Sequence, residues 1–197
     1  MSAHPPIALD FQITLQTEFI ALRPMQATDF SLLSPIAEYP MWKYFTQDLA
    51  DGNELKSWID DALAAREKNS RIPFTIIERS TGRVLGSTSF GNISLRDRRM
   101  EIGWTWIGKD FQGTGVNEQI KYLLLKYSFE TLHFERIEAK TDVLNTPARK
   151  AMKRIGMIEE GILRSHTLMT AGRRRDTIYY SVLLSEWNEL KKLNNWP

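Results

Sequence analysis

The chain has 197 residues, of which 42% are hydrophobic and 25% charged, and it carries a formal net charge of +2. This composition is typical of a soluble globular domain, and no apolar run approaches the roughly 20 residues that span a bilayer. The absence of cysteine excludes disulfides, thiolate metal sites and cysteine nucleophiles. A pI near 8.8 is too mild for a dedicated nucleic-acid binder, so we expect neither a membrane nor a nucleic acid as partner.

The N-terminal segment MSAHPPIALDFQITLQTEF contains no basic stretch followed by an apolar core, so it does not resemble an export signal. We therefore expect a cytoplasmic protein. No linker, repeat or low-complexity tract divides the chain, which predicts a single domain over residues 1–197. The first 16 residues are expected to form an arm or an edge segment.

The first half of the chain predicts a strand, two helices and a hairpin. Phe19–Met25 reads as a short strand, and the helix that follows is expected to be capped by Thr28. Asp51–Asn69 has apolar residues at helical spacing. The segments PFTIIER and RVLGSTSFGNI predict a hairpin whose turn contains Gly82.

The second half predicts strands and helices in alternation. In MEIGWTWIG the period of two predicts a strand on which Glu101 points away from Trp104 and Trp106. NEQIKYLLLKYSFETL has a broad apolar stripe at helical spacing, and RIEAKTD reads as the next strand. TPARKAMKRIG predicts a helix from Pro147 to Gly156, and MIEEGILRS and DTIYYSVLLSEW predict two closing strands.

This order of elements predicts an α+β (mixed α/β) fold. The chain runs strand, helix, helix, three strands, helix, strand, helix and two strands. A meander followed by a βαβ-like crossover fits a single mixed sheet. We expect that sheet to be central and to carry helices on both faces.

The segment IGKDFQGTGVNEQ places Gly113 and Gly115 between a predicted strand and a predicted helix. A P-loop needs Lys and then Ser or Thr after its last glycine, where this chain has Val116 and Asn117. A Rossmann loop needs Gly or Ala where this chain has Glu118. A metal-free turn remains, in which outward N–H groups at a helix N-terminus hold a pyrophosphate. The alternative is a plain strand-to-helix turn.

Two basic clusters and three histidines offer further candidate sites. LRDRRM (95–100) and GRRRD (172–176) are either solvated hairpin tips or a basic rim that attracts an anionic ligand. No two histidines have the spacing of metal ligands. We therefore expect no metal.

The segment DFQGTGVNEQIKYLLLKYSFE resembles the acetyl-CoA loop and following helix of the GNAT superfamily of N-acetyltransferases. The family signature is Gln or Arg, two residues, Gly, one residue, and then Gly or Ala. Gln112 and Gly115 match it, whereas Asn117 departs from it. The segments LRPM, EIGWTW, KTDVLNTPARKAMKRIGMIEEGILR and RRRDTIYYSVLLSEW are similar to the RimJ/RimL-like branch, and the similarity covers about residues 17–188.

The resemblance implies a GNAT-like central sheet, mostly antiparallel and of about seven strands. It implies acetyl-CoA as cosubstrate, with its pyrophosphate on the loop and its pantetheine arm along the backbone of Trp106 and Ile107. A splayed strand there would offer an unpaired N–H to the thioester oxygen. Asn145 stands where the family has an asparagine that contacts CoA. The loop residues so assigned are Gln112, Gly113, Thr114, Gly115, Val116 and Asn117.

The resemblance also suggests catalytic candidates. An acid on the strand before the loop often serves GNAT enzymes as general base through water, which points to Glu101. The alternative for Glu101 is a salt bridge to Arg98 or Arg99.

The proton donor is less defined, because Ala148 stands where the family usually has a small hydroxyl residue. Tyr179 and Tyr180 are substitutes, of which alternation turns only one toward the site. Core packing is the alternative for both. Trp42 and Tyr44 either line the acceptor pocket or pack as a lid or core.

The resulting hypothesis is an N-acetyltransferase. It would move an acetyl group from acetyl-CoA to a primary amine, which attacks the thioester directly. That amine belongs to a protein N-terminus or to a small molecule. The alternative is a protein of the same fold that binds or senses acyl-CoA without turnover, suggested by Ala148 and Asn117. A weaker third reading is a nucleic-acid binder that uses Arg173–Arg175. A homodimer is one option for the assembly.

Overall fold

The computed structural model of the chain describes residues 6–38 and 40–197. The first five residues of the expected arm lie outside this range. Residues further along the arm pack their apolar side chains against the core, and the arm ends in a short edge strand. The helices are α1 (Phe30–Leu33), α2 (Gly52–Glu67), α3 (Val116–Lys126), α4 (Thr146–Arg154) and α5 (Trp187–Asn194).

The strands form one eight-stranded sheet in the order β1-β2-β3-β4-β5-β6-β8-β7. Every neighbouring pair is antiparallel except β5 and β6, which are parallel. The strands are β1 (Leu15–Gln16), β2 (Ile20–Pro24), β3 (Arg71–Glu78), β4 (Val84–Ser94), β5 (Arg99–Ile107), β6 (Arg136–Asp142), β7 (Ile158–Leu168) and β8 (Arg174–Leu183). The predicted mixed, mostly antiparallel sheet is confirmed, and the strand beyond the expected seven is β1, of two residues.

The parallel pairing between β5 and β6 is short. It joins Arg99–Glu101 to Arg136–Glu138, although β5 continues to Ile107 and β6 to Asp142. Past Glu101, β4 remains paired with β5, and β8 remains paired with β6. The two central strands therefore diverge and leave a gap in the middle of the sheet, which we call the central gap.

Two hydrophobic clusters cover the two faces of the sheet, as predicted. Residues of α3, α4 and α5 belong to one cluster, which includes Phe74 and Phe90 of the sheet. Residues of α1 and α2 belong to the other, which includes Trp42 and Trp106. Apolar burial on both faces is the main stabilising term of such a layered fold.

Several boundaries differ from the sequence prediction. Thr28 does not cap the first helix: Asp29 accepts a hydrogen bond from the Gln26 amide, and a 3-10 turn precedes a short α1. The last strand ends at Leu183 rather than continuing to Trp187, where α5 begins. The C-terminal helix α5 was not predicted.

Candidate active site

A β-bulge in β5 shapes the site. Ser87 of β4 pairs with Trp106 while Ser89 pairs with Gly103, so β5 holds one residue more than β4 in this interval. Trp104 takes up the extra length with a φ of 52°, a region that residues other than glycine rarely adopt. Bulges redirect side chains and often occur beside active sites.

The bulge reverses the predicted orientation of two tryptophans. Gly91 is the cross-strand partner of Glu101, and a Cβ on Gly91 would lie 2.5 Å from the Trp104 ring. Cross-strand partners share a face of the sheet, so Trp104 lies on the same face as Glu101. Trp106 belongs to the cluster on that face, and Ile102 to the cluster on the other. The prediction that Glu101 points away from the tryptophans is therefore wrong.

Glu101 is buried, with 4% of its surface exposed, at the point where the central gap opens. Its Oε2 accepts hydrogen bonds from Asn92 Nδ2 at 2.7 Å and from Lys140 Nζ at 2.8 Å. Its Oε1 has no hydrogen-bond partner among the residues described. That oxygen lies 2.9 Å from the position of a Cβ on Gly103, so the missing side chain of Gly103 leaves it accessible.

The ion pair of Glu101 differs from the predicted alternatives. Its cationic partner is Lys140 of the neighbouring β6. Arg99 lies 3.5 Å from Glu138 instead, and Arg98 donates to the carbonyl of His133. A partner on the adjacent parallel strand is a tertiary pairing that the local sequence does not reveal.

Tyr179 lies on the same face as this carboxylate. It is the cross-strand partner of Lys140, whose Nζ is 5.7 Å from the phenol ring centroid. The His166 ring packs against its edge at 6.1 Å. Tyr180 points to the opposite face, is fully buried, and bonds through its hydroxyl to Arg149 and Glu159. Alternation on β8 thus turns Tyr179, and not Tyr180, toward Glu101.

The glycine loop presents free amides at the start of α3. Gly113 and Gly115 have φ values of 77° and 89°, which favour glycine, and open space surrounds both. Within the described part of the chain, no acceptor is assigned to the N–H groups of Gly113, Thr114, Gly115, Val116 and Asn117. Unpaired amides beside a helix N-terminus suit an anion such as a pyrophosphate. The loop therefore fits the group that the sequence predicts for it.

The loop side chains hold its shape. Gln112 donates from Nε2 to the carbonyl of Ile107 at 2.9 Å, and the Thr114 hydroxyl donates to the Phe111 carbonyl at 2.7 Å. Both bonds tie the loop to itself and to the end of β5. The backbone amides thus remain as the candidate anion-binding groups.

Asn145 is the N-cap of α4. Its Oδ1 accepts from the Ala148 amide at 3.2 Å, and its Nδ2 donates to Thr141 Oγ1 at 3.2 Å. This capping accounts for an asparagine at the helix start. A contact between Asn145 and CoA stays a prediction.

The aromatic candidates divide into core and surface. Trp106 packs its ring against Trp42 at 5.1 Å and Trp58 at 6.5 Å, and its Nε1 is buried without a partner in the described chain. Trp42 is 1% exposed, which supports core packing, whereas Tyr44 is half-buried. The backbone of Trp106, rather than its ring, is what β5 presents along the central gap.

The basic clusters are partly tied into the fold. Arg173 pairs with the buried Asp142, and Arg175 donates to the Thr177 hydroxyl at 3.0 Å. In the β4–β5 turn, Arg96 is almost fully exposed. The first cluster is mainly a solvated turn, whereas the second braces β8 against the end of β6.

Asn92, Lys140 and Lys121 were missed by sequence reasoning. Asn92 and Lys140 depend on strand pairing and had no local signal. Lys121 had one, because it is a charged residue inside the apolar stripe of α3. It is 7% exposed, and burial lowers its pKa to about 8, a shift that the charge of Glu101 opposes.

Over the described residues, no three candidate ligand side chains come together as a metal site. None of the helices in that range is long and apolar enough to cross a bilayer.

Comparison with known protein families shows which family this chain belongs to. The sequence profile described as an Acetyltransferase (GNAT) domain matches residues 20–158. The chain belongs to the GNAT acetyltransferase family.

Two N-acetyltransferases from Bacillus species resemble this chain, one over most of its length and the other over about half of it. It is 30% identical to p20 of Bacillus licheniformis, an uncharacterised N-acetyltransferase, over 88% of this chain and 98% of that one. It is 37% identical to YdaF of Bacillus subtilis strain 168, provisionally named a ribosomal N-acetyltransferase, over 54% and 57% of the two chains.

Solved GNAT structures share the fold. A GCN5-related N-acetyltransferase from Brucella melitensis has a TM-score of 0.88 at 25% identity, covering all of this chain and 90% of that one. RimJ of Mycobacterium smegmatis, solved in complex with CoA-disulfide, has a TM-score of 0.75 at 22% identity and covers 90% and 91% of the two chains. The predicted GNAT family is confirmed, and the RimJ structure shares its fold.

Proposed function

We propose that this GNAT acetyltransferase transfers an acetyl group from acetyl-CoA to a primary amine by direct attack. The observation that carries the proposal is the central gap, which opens at the buried Glu101 and runs along β5 to the free amides of the glycine loop. This arrangement offers a pyrophosphate cradle at one end and a carboxylate at the other. Acetyl-CoA, the donor of the family, supplies the reactive thioester.

The chain binds the donor through backbone groups. The amides from Gly113 to Asn117 and the dipole of α3 hold the pyrophosphate without a metal. The backbone of Trp106 and Ile107 lines the gap for the pantetheine arm, since β6 no longer pairs with β5 there. Asn145 flanks the same gap from the start of α4.

Glu101 acts as the general base. Asn92 and Lys140 fix its Oε2, so the carboxylate is oriented while Oε1 stays able to accept a proton through a water. A base held in place in this way removes the proton that the amine loses as the amide bond forms. Tyr179, on the same face, is the proton donor that the sequence predicts for the departing sulfur.

The acceptor is a protein N-terminus or a small primary amine. The RimJ-like relatives, one of them provisionally named a ribosomal N-acetyltransferase, favour the protein N-terminus. A cytoplasmic location and a homodimer stay predictions.

The test is a turnover screen. Purified protein is mixed with acetyl-CoA and a panel of N-terminal peptides, amino acids, polyamines and aminoglycosides, and the released thiol is measured. We expect thiol release with at least one amine. Binding of acetyl-CoA, seen as ligand-induced stabilisation, without turnover of any amine would favour the sensing alternative.

A matched pair of variants tests whether the amides of the glycine loop bind the pyrophosphate of acetyl-CoA. Gly115→Val places a side chain among the free amides, and we expect it to abolish acetyl-CoA binding by calorimetry while circular dichroism stays native. Gly82→Val is the control, because Gly82 has a similar φ of 75° with open space around it in the β3–β4 turn. Equal affinity in the two variants would refute the cradle.

A further inference from the structure

The sheet face that carries Glu101 is covered by apolar residues on only one side of the central gap. The hydrophobic cluster that packs on this face includes Trp42 and Trp106, and its described members all lie between residues 25 and 106. None of these members belongs to β6, β7 or β8. The half of the face beyond the gap is therefore left to other side chains, and it borders Glu101.

Polar side chains occupy this uncovered half. Glu101 pairs in register with Glu138 of β6, and Lys140, two residues further along β6, pairs with Tyr179 of β8. Cross-strand partners and alternate residues of a strand share a face, so Lys140 and Tyr179 lie on the Glu101 face. Arg175 lies there as well, because four residues of β8 separate it from Tyr179.

Contacts connect these side chains in a continuous row. Lys140 Nζ lies 2.8 Å from Glu101 Oε2 and 5.7 Å from the centroid of the Tyr179 ring. The His166 ring lies 6.1 Å from that ring, and His166 Nδ1 is 3.1 Å from Thr177 Oγ1. The same hydroxyl oxygen accepts from Arg175 Nε at 3.0 Å. The row beyond Glu101 forms the polar strip: Lys140, Tyr179, His166, Thr177 and Arg175.

Arg175 is the cation of the strip that lacks a carboxylate partner among the residues described. It is half-buried, and its hydrogen bonds go to the hydroxyls of Thr177 at 3.0 Å and Thr167 at 3.5 Å. Lys140 and the adjacent Arg173 each have their own carboxylate. A guanidinium matches the two oxygens of a carboxylate, so Arg175 is suited to receive one from a ligand.

The neighbouring arginine does not extend this basic site. Arg174 pairs in register with Leu168 and lies on the other face of β8, where its Nε donates to Ser165 Oγ at 3.1 Å. The GRRRD cluster therefore presents one unpaired guanidinium, that of Arg175, beside the site. One such cation suits a single carboxylate, whereas a nucleic acid needs several cations along its backbone.

The length of the strip defines where that carboxylate lies in an acceptor. The Arg175 guanidinium is bonded at Thr177, two residues from Tyr179 on β8, and Tyr179 adjoins Lys140 and Glu101. Two residues of a strand cover about 7 Å, so the guanidinium lies roughly 10–15 Å from the Glu101 carboxylate, the length of three or four extended residues.

We propose that the polar strip binds the N-terminal segment of an acceptor peptide whose third or fourth residue is acidic. The N-terminal amine lies at Oε1 of Glu101, the chain follows β8, and the acidic side chain pairs with Arg175. This inference rests on the proposed function and names its acceptor class. Arg175 is thus a specificity-determining residue that acts on binding of the acceptor.

The test compares matched peptides. Each is a hexapeptide of alanine and serine with an amidated C-terminus and either glutamate or glutamine at the third or fourth position, so that one side chain carries the only carboxylate. Thiol release from acetyl-CoA gives kcat and KM. We expect wild type to favour the better glutamate peptide over its glutamine counterpart by at least about tenfold in kcat/KM, mainly through KM, as for one charge-assisted hydrogen bond.

Variants of two adjacent arginines assign the preference. Arg175→Gln should reduce the glutamate-to-glutamine ratio to within twofold, while Arg174→Gln, on the opposite face, should keep the wild-type ratio. Arg175→Glu should reverse the charge preference, so that a peptide with lysine at the same position becomes better than the glutamate peptide. A merely structural Arg175 would lower the rates with all peptides alike. Acetyl-CoA affinity, measured by calorimetry, shows that each variant is folded.

The outcomes separate the two claims. Turnover of peptides with a wild-type ratio within twofold, or with the same ratio in Arg175→Gln, would overturn the inference and leave the proposed function standing. If no amine or peptide releases thiol, the proposed function fails, and calorimetry of the same peptides with the CoA-saturated protein then tests the strip alone. A glutamate preference that disappears in Arg175→Gln would support it, and equal binding of both peptides would overturn it.

Discussion

Asp29 and Glu101 are both buried carboxylates beside a cation, and they differ in how far their oxygens are satisfied. Asp29 is 1% exposed and receives bonds on both oxygens, from Arg23, Thr75 and the amide of Gln26. Glu101 is 4% exposed and receives both of its bonds on Oε2. Both oxygens of Asp29 therefore accept hydrogen bonds, whereas Oε1 of Glu101 accepts none from the residues described.

This difference separates a carboxylate with a structural role, Asp29, from a candidate catalytic carboxylate, Glu101. Burial raises the pKa of Asp29, but the hydrogen bonds from Arg23, Thr75 and Gln26 outweigh it and lower the pKa below the ordinary 3.8. Such a carboxylate joins β2, the first helical turn and β3, and both of its oxygens are engaged within the fold. The unsaturated oxygen of Glu101, beside a glycine and the central gap, is where a proton can be received.

The largest expected effect is on catalysis. Glu101→Gln should keep the shape and the Asn92 contact but remove the base, so kcat should fall by about 10²–10⁴-fold. Affinity for acetyl-CoA, measured by calorimetry, should not change, because the amide cradle is untouched. Glu138→Gln is the control, since Glu138 is also ion-paired and is the cross-strand partner of Glu101. A kcat within threefold of wild type would return Glu101 to a structural role.

The next effect is on stability. Asp29→Asn should reduce the free energy of unfolding by about 3 kcal/mol, because it leaves Arg23 without its buried partner. Urea denaturation measures the loss, while kcat per folded molecule should stay at the wild-type value. If the loss of kcat per folded molecule, expressed as an activation free energy, exceeded the loss in the free energy of unfolding, the contrast with Glu101 would disappear.

The Asp29 network also predicts a pH dependence. A carboxylate with a lowered pKa stabilises the fold above its unfolded pKa, near 3.8, and this stabilisation is lost as pH falls through the lower folded value. Wild type should therefore lose stability faster than Asp29→Asn below about pH 4. Parallel curves of unfolding free energy against pH would contradict the assignment.

The smallest expected effect comes from one methyl group. Gly103→Ala places a Cβ 2.9 Å from Oε1 of Glu101, which should crowd the water that carries the proton. We expect about a tenfold fall in kcat, or 1.4 kcal/mol, with stability unchanged. Gly52→Ala adds a methyl at an ordinary contact distance of 3.8 Å from Phe30 and should be silent. An unaffected kcat in Gly103→Ala would mean that Oε1 does not take part.

Much of the fold follows from local patterns. The helix predicted over Asp51–Asn69 is α2 with Asp51 as its N-cap, and RIEAKTD is β6 to the residue. Periodicity and capping are encoded within a few residues, so they could be read directly. The loop and its family were predictable for the same reason, since its residues are contiguous in the chain.

The site could be predicted only in part. Glu101 and Tyr179 were identified as candidates, but the orientation of Glu101 relative to the tryptophans was wrong because a bulge at Trp104 shifts the alternation. The bulge arises from pairing with β4 and leaves no mark in the period of two. Lys140, 39 residues from Glu101, becomes its partner only when β6 lies beside β5.

The amino-acid sequence by itself determined most of the helices and strands, the glycine loop and the GNAT family, because each rests on short-range patterns and contiguous motifs. Only the tertiary structure decided which oxygen of Glu101 is free, which tyrosine faces it, and that Lys121 is a buried cation. These properties depend on strand register, on the divergence of β5 from β6 and on helix packing. They bring together residues far apart in the chain, and burial then sets the charge interactions that chemistry uses.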